Sequence, residues 1–149
     1  MGNIISSFHD LRVYQAAFDL QQQVFVLSKG FPKEERYALT DQIRRASRSV
    51  GANIAEAWQK RRYNAHFLSK LTDADGGLAE TQHWLGTARA CDYLAASSSA
   101  GLIADCLEIG RMLGSMMAKP DKFCHLPLPA PARPPSAAIR PPSSVLRPQ

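Results

Sequence analysis

The residues best suited to chemistry in this sequence form a cluster of basic side chains. Residues 36–62 carry seven lysines and arginines against two carboxylates, whereas residues 1–35 and 63–119 together are slightly acidic. A concentrated positive segment of this kind is typical of a surface that contacts a polyanion. The predicted nucleic-acid-binding residues, as phosphate contacts, are Arg44, Arg45, Arg48, Lys60, Arg61 and Arg62.

Small residues lie between these arginines and bear on the choice of partner. On a helix through this segment, Gly51, Ala52 and Ala55 project outward between the arginines. An ordinary solvated face, which is the simplest alternative, would carry Glu and Lys there. Small residues instead indicate close packing, either against a second subunit or against a phosphate backbone approached by planar guanidinium groups.

A polar stripe follows the opposite flank of the same helix at intervals of seven, four and three residues. Its members are Gln42, Ser49, Asn53 and Glu56. Partly buried polar groups must be hydrogen-bonded, and such a stripe more often fixes helix register or assembly than performs catalysis. We therefore predict a structural role for it.

Patterns that support catalysis or metal binding are not found. His9, His66, His83 and His125 are scattered, and none has the spacing of a helical metal pair with a carboxylate. There is no nucleophile elbow and no phosphate-cradling glycine loop. Three cysteines without a Cys-x-x-Cys pair fit a reducing cytoplasm, with two of them as apolar core residues. We predict a non-enzymatic cytoplasmic protein with no catalytic residues, no cofactor and no metal ion.

The elements that position these residues are predicted to be helices, because apolar residues recur at intervals of three and four. The four apolar stripes run from Val13 to Leu27, from Leu39 to Ala57, from Phe67 to Ala88 and from Leu102 to Met116. No strand is needed, and short connections make neighbouring helices antiparallel. The predicted fold is all-α, an antiparallel up-down four-helix bundle.

Local signals predict where these helices begin and where they are interrupted. Candidate N-caps are Thr40 for the second helix, Asn64 for the third, and Ser98 or Ser99 for the fourth. The Gly76-Gly77 pair inside the third helix predicts a kink or a close backbone approach.

The prolines divide the chain into two regions. Nine of the ten prolines lie at or after residue 120. We therefore predict a bundle over residues 1–119 and a disordered Pro-rich tail over residues 120–149. No apolar run is long enough to cross a bilayer, so no membrane association is expected.

Several blocks of the chain follow a family pattern: FHDLRVYQAA at residues 8–17, FPKEERYALTDQIRRASRSVGANIAE at residues 31–56, FLSKL at residues 67–71 and LAE at residues 78–80. They resemble the four-helix-bundle family of bacterial 23S rRNA intervening-sequence proteins. The resemblance implies a small cytoplasmic bundle that assembles into a ring, typically a homopentamer, and associates with RNA or the ribosome. The sequence is also similar to the accessory variability determinant of diversity-generating retroelements, a basic pentameric bundle that binds a reverse transcriptase and nucleic acid. Neither resemblance implies catalysis.

The chain departs from the family pattern in three places. Ala57 and Trp58 stand where the family usually has glycine, Gly77 stands where it often has serine, and the Pro-rich tail lies outside the pattern. We predict a non-enzymatic oligomer that binds structured nucleic acid, with RNA as the first expectation and DNA as the other. A reverse transcriptase is a further expected partner. The alternative is an interaction scaffold whose arginines form intersubunit or partner contacts.

Overall fold

The computed structural model describes residues 4–124 and confirms an all-helical bundle. Its long helices are α1 (Arg12–Ser28), α2 (Asp41–Gln59), α3 (Asn64–Ala90) and α4 (Ala96–Ala118), and a short α5 (Asp121–Cys124) follows. Residues 4–124 contain no strand. Each of the long helices packs against its neighbours in sequence, and α1 also packs against α4, which closes the bundle.

The core consists of the apolar stripes that the sequence predicts. Helices α1, α3 and α4 bury about one residue per turn and α2 buries more, because apolar residues three and four apart share a face. Among the fully buried residues are Leu20 of α1, Ile54 of α2, Leu71 of α3 and Leu113 of α4. Burial of such side chains provides most of the stability of a helical bundle, at about 1.5–3 kcal/mol for each large aliphatic residue.

The most extensive helix contact joins α2 and α3, and Gly77 permits it. A Cβ atom at Gly77 would collide with Ser49 Oγ and would lie 3.4 Å from the carbonyl oxygen of Ala46. By contrast, a Cβ atom at Gly76 would meet nothing within 4 Å. The structure therefore shows the predicted close approach at Gly77 only, and α3 is continuous through both glycines.

The predicted helix starts are wrong at the N-terminal ends of α2 and α4. A 3-10 turn (Lys33–Glu35) and a π-helical turn (Arg36–Thr40) precede α2, so Thr40 already has helical dihedral angles and caps nothing. α4 begins at Ala96, so Ser98 and Ser99 lie inside it, and α3 begins with Asn64 itself after an extended Tyr63. No side-chain cap hydrogen bond is present at the start of α2, α3 or α4, where the N-cap residues are Thr40, Tyr63 and Ala95.

The beginning of the predicted tail is ordered. Residues 121–124 form α5, where the Phe123 ring stacks on Phe67 with the ring centroids 5.9 Å apart. Asn64 Nδ2 also donates a hydrogen bond to Asp121 Oδ1 at 3.2 Å. The rest of the predicted tail, residues 125–149, lies outside the described residues. None of the helices within residues 4–124 combines the length and apolar character needed to cross a membrane.

We expect the two adjacent glycines of α3 to respond differently to alanine. Gly76→Ala should raise the free energy of unfolding by about 0.5–1 kcal/mol, because alanine is the better helix former and its methyl group has space. Gly77→Ala should lower it, because Ser49 Oγ must give up its 2.7 Å hydrogen bond to the Ala46 carbonyl. Urea denaturation of both variants measures the difference.

A double-mutant cycle provides the control for steric contact. In a Ser49→Ala background the colliding hydroxyl is gone, so Gly77→Ala should no longer destabilise the protein. Equal penalties in both backgrounds would contradict the close approach at Ser49.

Candidate nucleic-acid interface

Three cations surround one aromatic ring where the C-terminal end of α1 meets the N-terminal half of α2. Lys29 Nζ lies 4.6 Å from the centroid of the Phe25 ring, Arg44 Cζ lies 4.9 Å from it and Arg48 Cζ lies 5.7 Å from it. All three distances are within the range in which a cation is attracted to an aromatic face. The antiparallel packing of α1 and α2 brings these residues together, although they are up to 23 positions apart in the chain.

Arg44 is held in a defined orientation within this group. Its Nε donates a hydrogen bond to Ser28 Oγ at 2.7 Å, and that hydroxyl donates to the carbonyl oxygen of Phe25 at 3.0 Å. Because Ser28 occupies only Nε, the two terminal nitrogens of the guanidinium group remain for an external acceptor. A side chain fixed in this way loses less conformational entropy when it binds a ligand.

The structure places five of the six predicted phosphate-binding residues at the surface, in two groups. Arg45 and Arg48 are exposed and Arg44 is half-buried, all in the N-terminal half of α2. Lys60 and Arg62 are exposed at the turn between α2 and α3. At 1.5 Å per residue the two groups are roughly 18 Å apart along the helix axis.

The sixth predicted residue, Arg61, is not a surface cation, and this part of the prediction is wrong. Its side chain is only 2% exposed. The guanidinium carbon stacks 3.8 Å from the centroid of the Trp58 ring, and Nη1 donates a 2.7 Å hydrogen bond to the Trp58 carbonyl oxygen. Burial lowers the pKa of the guanidinium group, and Arg61 belongs to the packing of the α2–α3 turn.

Gly51 also differs from its predicted position on an open face. It is buried beneath α1, and a Cβ atom there would lie 3.6 Å from Tyr14 Cε2. Ala52 is exposed and Ala55 is half-buried. The close neighbour of Gly51 is therefore a helix of the same chain.

The polar stripe of α2 lies along the contact with α3. Ser49 Oγ donates a hydrogen bond to the Ala46 carbonyl, Asn53 Nδ2 donates to the Ser49 carbonyl at 2.9 Å, and Gln42 is half-buried. Glu56 forms a 2.9 Å ion pair with Lys70 of α3, which holds the pKa of the carboxyl group below its ordinary value. Three of the four residues thus have partners within α2 or on α3, at the place where the helices are closest.

No arginine of α2 forms an ion pair with a carboxylate of residues 4–124, although Asp41 lies three and four residues before Arg44 and Arg45. Among residues 4–124, ion pairs join Lys70 with Glu56 and Asp73, and Arg89 with Asp92. On the other flank of α1, Asp19, Asp105 and Glu108 line the seam between α1 and α4. The described part of the chain therefore has a basic side and an acidic side.

Sequence reasoning missed part of the basic side. An open groove of about 650 Å³ lies beside Arg44 and is also lined by Lys29, Lys33, Arg36 and Tyr37. No carboxylate lines the groove within residues 4–124. The signal was present in the sequence, because Lys29 follows Phe25 by one helical turn and a short connection returns the chain to α2.

Residues 4–124 bring together no three His, Cys, Asp or Glu side chains that could hold a metal ion. Cys106 lies in the core, where burial raises its pKa to about 12, and Cys124 packs against the core. Cys91 is exposed.

Comparison with known proteins gives the family. Residues 9–115 match the model of the 23S rRNA-intervening sequence proteins. The chain belongs to this family. A solved structure from the S23 ribosomal protein family, a protein of unknown function from Bacteroides thetaiotaomicron, is 27% identical, with a TM-score of 0.65 over 71% of this chain and 95% of that one. A search of curated proteins gives no match.

The family match covers α1, α2, α3 and most of α4. It therefore includes Phe25, Arg44, Arg45 and Arg48, together with the groove beside them. The turn containing Trp58 and Arg61 is also inside it.

The neighbours Arg61 and Arg62 provide a test of which cations support the fold. Arg61→Gln should lower the free energy of unfolding by about 1–3 kcal/mol, because it removes a buried cation–π contact and a charged hydrogen bond. Arg62→Gln should leave unfolding unchanged, because its side chain is exposed. Urea denaturation of the two variants makes the comparison, and an Arg61→Gln protein as stable as the wild type would contradict the structural assignment.

Proposed function

We propose that this protein is a non-enzymatic, cytoplasmic oligomer that binds RNA through a basic face. The basic face consists of Lys29, Arg44, Arg45 and Arg48, extended by Lys60 and Arg62. The observation that carries the proposal is the group of three cations around the Phe25 ring, with no ion pair to a carboxylate among residues 4–124.

The physical argument concerns the repulsion among these cations. Like charges this close disfavour one another, and the attraction of each to the Phe25 ring offsets this cost only in part. A phosphate backbone would neutralise the group and supply bidentate acceptors for Arg44 and Arg48. Membership of a family named for an intervening sequence of 23S rRNA supports RNA as the polyanion.

The proposal includes assembly into a ring, a homopentamer as the family resemblance implies. Several copies of the basic face on one rigid body would act together, and avidity exceeds the affinity of one face by about 10²-fold or more when the RNA spans them. In the retroelement form of the same proposal, the protein partner is a reverse transcriptase, and DNA takes the place of RNA.

A specific observation favours the alternative of a protein scaffold. The acidic seam of Asp19, Asp105 and Glu108 on one flank of α1 complements the basic face on the other. A head-to-tail contact between these surfaces would close a ring and would occupy the arginines. Phe18, which is 46% exposed beside Tyr14, is the kind of aromatic residue that protein interfaces bury.

Salt-dependent RNA binding tests the main proposal. Each phosphate contact releases condensed counterions, so the logarithm of the affinity should fall with the logarithm of salt concentration by about 0.7–0.9 per contact. Replacing Arg45, Arg48 and Arg62 with glutamine should weaken binding to many RNAs alike and flatten the slope by about two to three units. Fluorescence anisotropy over a salt series measures both quantities.

A second triple variant controls for net charge. Arg12, Arg89 and Arg111 are exposed on α1, α3 and α4 and do not belong to the basic face, so their replacement by glutamine removes the same charge and should leave the slope unchanged. Equal losses in both triple variants would contradict a localised basic face.

Light scattering tests assembly. We expect the full chain to form an oligomer at micromolar concentration, and a monomer would contradict the ring. The Arg45, Arg48 and Arg62 variant should remain assembled if these residues contact RNA. If it dissociates while RNA binding persists, the arginines belong to a protein interface and the scaffold alternative is correct.

A further inference from the structure

The groove beside Arg44 combines positive charge with an exposed aromatic ring. Lys29, Lys33, Arg36 and Arg44 line it, and the Tyr37 side chain on its wall is 73% exposed. Arg36 Cζ lies 5.5 Å from the centroid of the Tyr37 ring. An aromatic face among cations is the arrangement that proteins use for single-stranded nucleic acid, because bases stack on the ring while phosphates follow the charges.

Three carboxylates are close in sequence to the groove residues, and none of them lines the groove. Asp41, which follows Thr40, is one of them. Glu34 and Glu35 are adjacent to Lys33 in the chain but do not line the groove. Phe31, just before the 3-10 turn, packs against Tyr93 with the ring centroids 5.9 Å apart. Burial, followed by nearby charges that include Glu35 and Glu34, raises the pKa of the Tyr93 hydroxyl. The short 3-10 turn thus separates two acidic side chains from the groove and leaves cations facing into it.

We propose that this groove binds one unpaired nucleotide of an RNA, with its base stacked on Tyr37 and its phosphate held by Arg44, Lys33 and Arg36. Arg44 is already oriented by Ser28, so its terminal nitrogens can bind the phosphate without reorganisation. A volume of about 650 Å³ is within the range of small-ligand sites. A duplex keeps its base faces stacked internally, so only an unpaired nucleotide can use both the charges and the ring.

This inference rests on the proposed RNA binding and adds specificity to it. The basic face alone distinguishes no RNA structure, because phosphate contacts carry no sequence or pairing information. A stacking site gives preference for loops, bulges and single-stranded ends over continuous helix.

The test compares a blunt RNA duplex with the same duplex carrying a short single-stranded overhang. The full-length protein should bind the overhang RNA more tightly. Tyr37→Ala should remove this advantage, at about tenfold in affinity, and leave duplex binding unchanged. Tyr37→Phe should retain the advantage, because phenylalanine also stacks, and Leu107→Ala, an exposed apolar residue on α4, should retain it as well.

Two further measurements report on the groove itself. A 2-aminopurine base in the overhang should lose fluorescence on binding the wild-type protein and Tyr37→Phe, but not on binding Tyr37→Ala. Replacing Lys33 and Arg36 with glutamine should flatten the salt slope for overhang RNA by about 0.7 per contact, with no change for the blunt duplex.

The possible outcomes separate the inference from the function on which it rests. If the wild type binds both RNAs equally and Tyr37→Ala changes neither, the groove assignment is wrong and phosphate binding by the basic face stands. If no RNA binds at low salt, both are wrong. If Tyr37→Ala dissociates the oligomer, Tyr37 belongs to a protein interface, which also overturns the inference.

Discussion

The close approach of α3 to α2 at Gly77 is the constraint on which the rest of the structure depends. It lets the backbone of α3 reach Ser49 and the Ala46 carbonyl of α2, so one flank of α2 is fully occupied. α1 covers the other flank at Gly51, where Tyr14 lies over the missing side chain. With both flanks covered by helices of the same chain, α2 has one narrow strip left for solvent. The exposed residues of this strip are Arg45, Arg48, Ala52, Glu56 and Gln59.

The connection between α1 and α2 places side chains of both helices next to one another, beside the groove. Pro32 directly precedes the 3-10 turn, and this turn and the following π-helical turn lead the chain into α2. Because this connection is short, the last turn of α1 lies beside the first turns of α2, and Ser28 comes within hydrogen-bond distance of Arg44. A π-helical turn is an uncommon geometry that often occurs at functional sites, and this one carries Arg36 and Tyr37 on the groove.

The sequence predicts the bundle well because apolar periodicity reports burial directly, and burial is what holds helices together. It does not predict Thr40 correctly, because helical turns before α2 replace the side-chain cap that the propensity rules assume. The prediction that Arg61 contacts phosphate is wrong for a different reason, because charge alone does not show that the neighbouring Trp58 covers the guanidinium group. Lys29 was missed because it lies outside the basic segment of residues 36–62, although its spacing of four residues from Phe25 is the one that brings its Nζ to the ring.

The two kinds of arginine in this protein differ in what their charge does. Arg61 uses its charge in a cation–π contact with Trp58 and in a hydrogen bond to the backbone of the α2–α3 turn. It therefore contributes to folding, even though burial disfavours a cation. Arg45 and Arg48 form no ion pair among the described residues, and their mutual repulsion opposes folding slightly. Among residues 4–124, the contacts of the Arg48 guanidinium group within the bundle are limited to the Phe25 ring, so the charges of Arg45 and Arg48 are the ones that the proposed RNA binding uses. The packing that leaves one strip of α2 exposed therefore separates Arg61, which supports the fold, from Arg45 and Arg48, whose side chains lie at the surface.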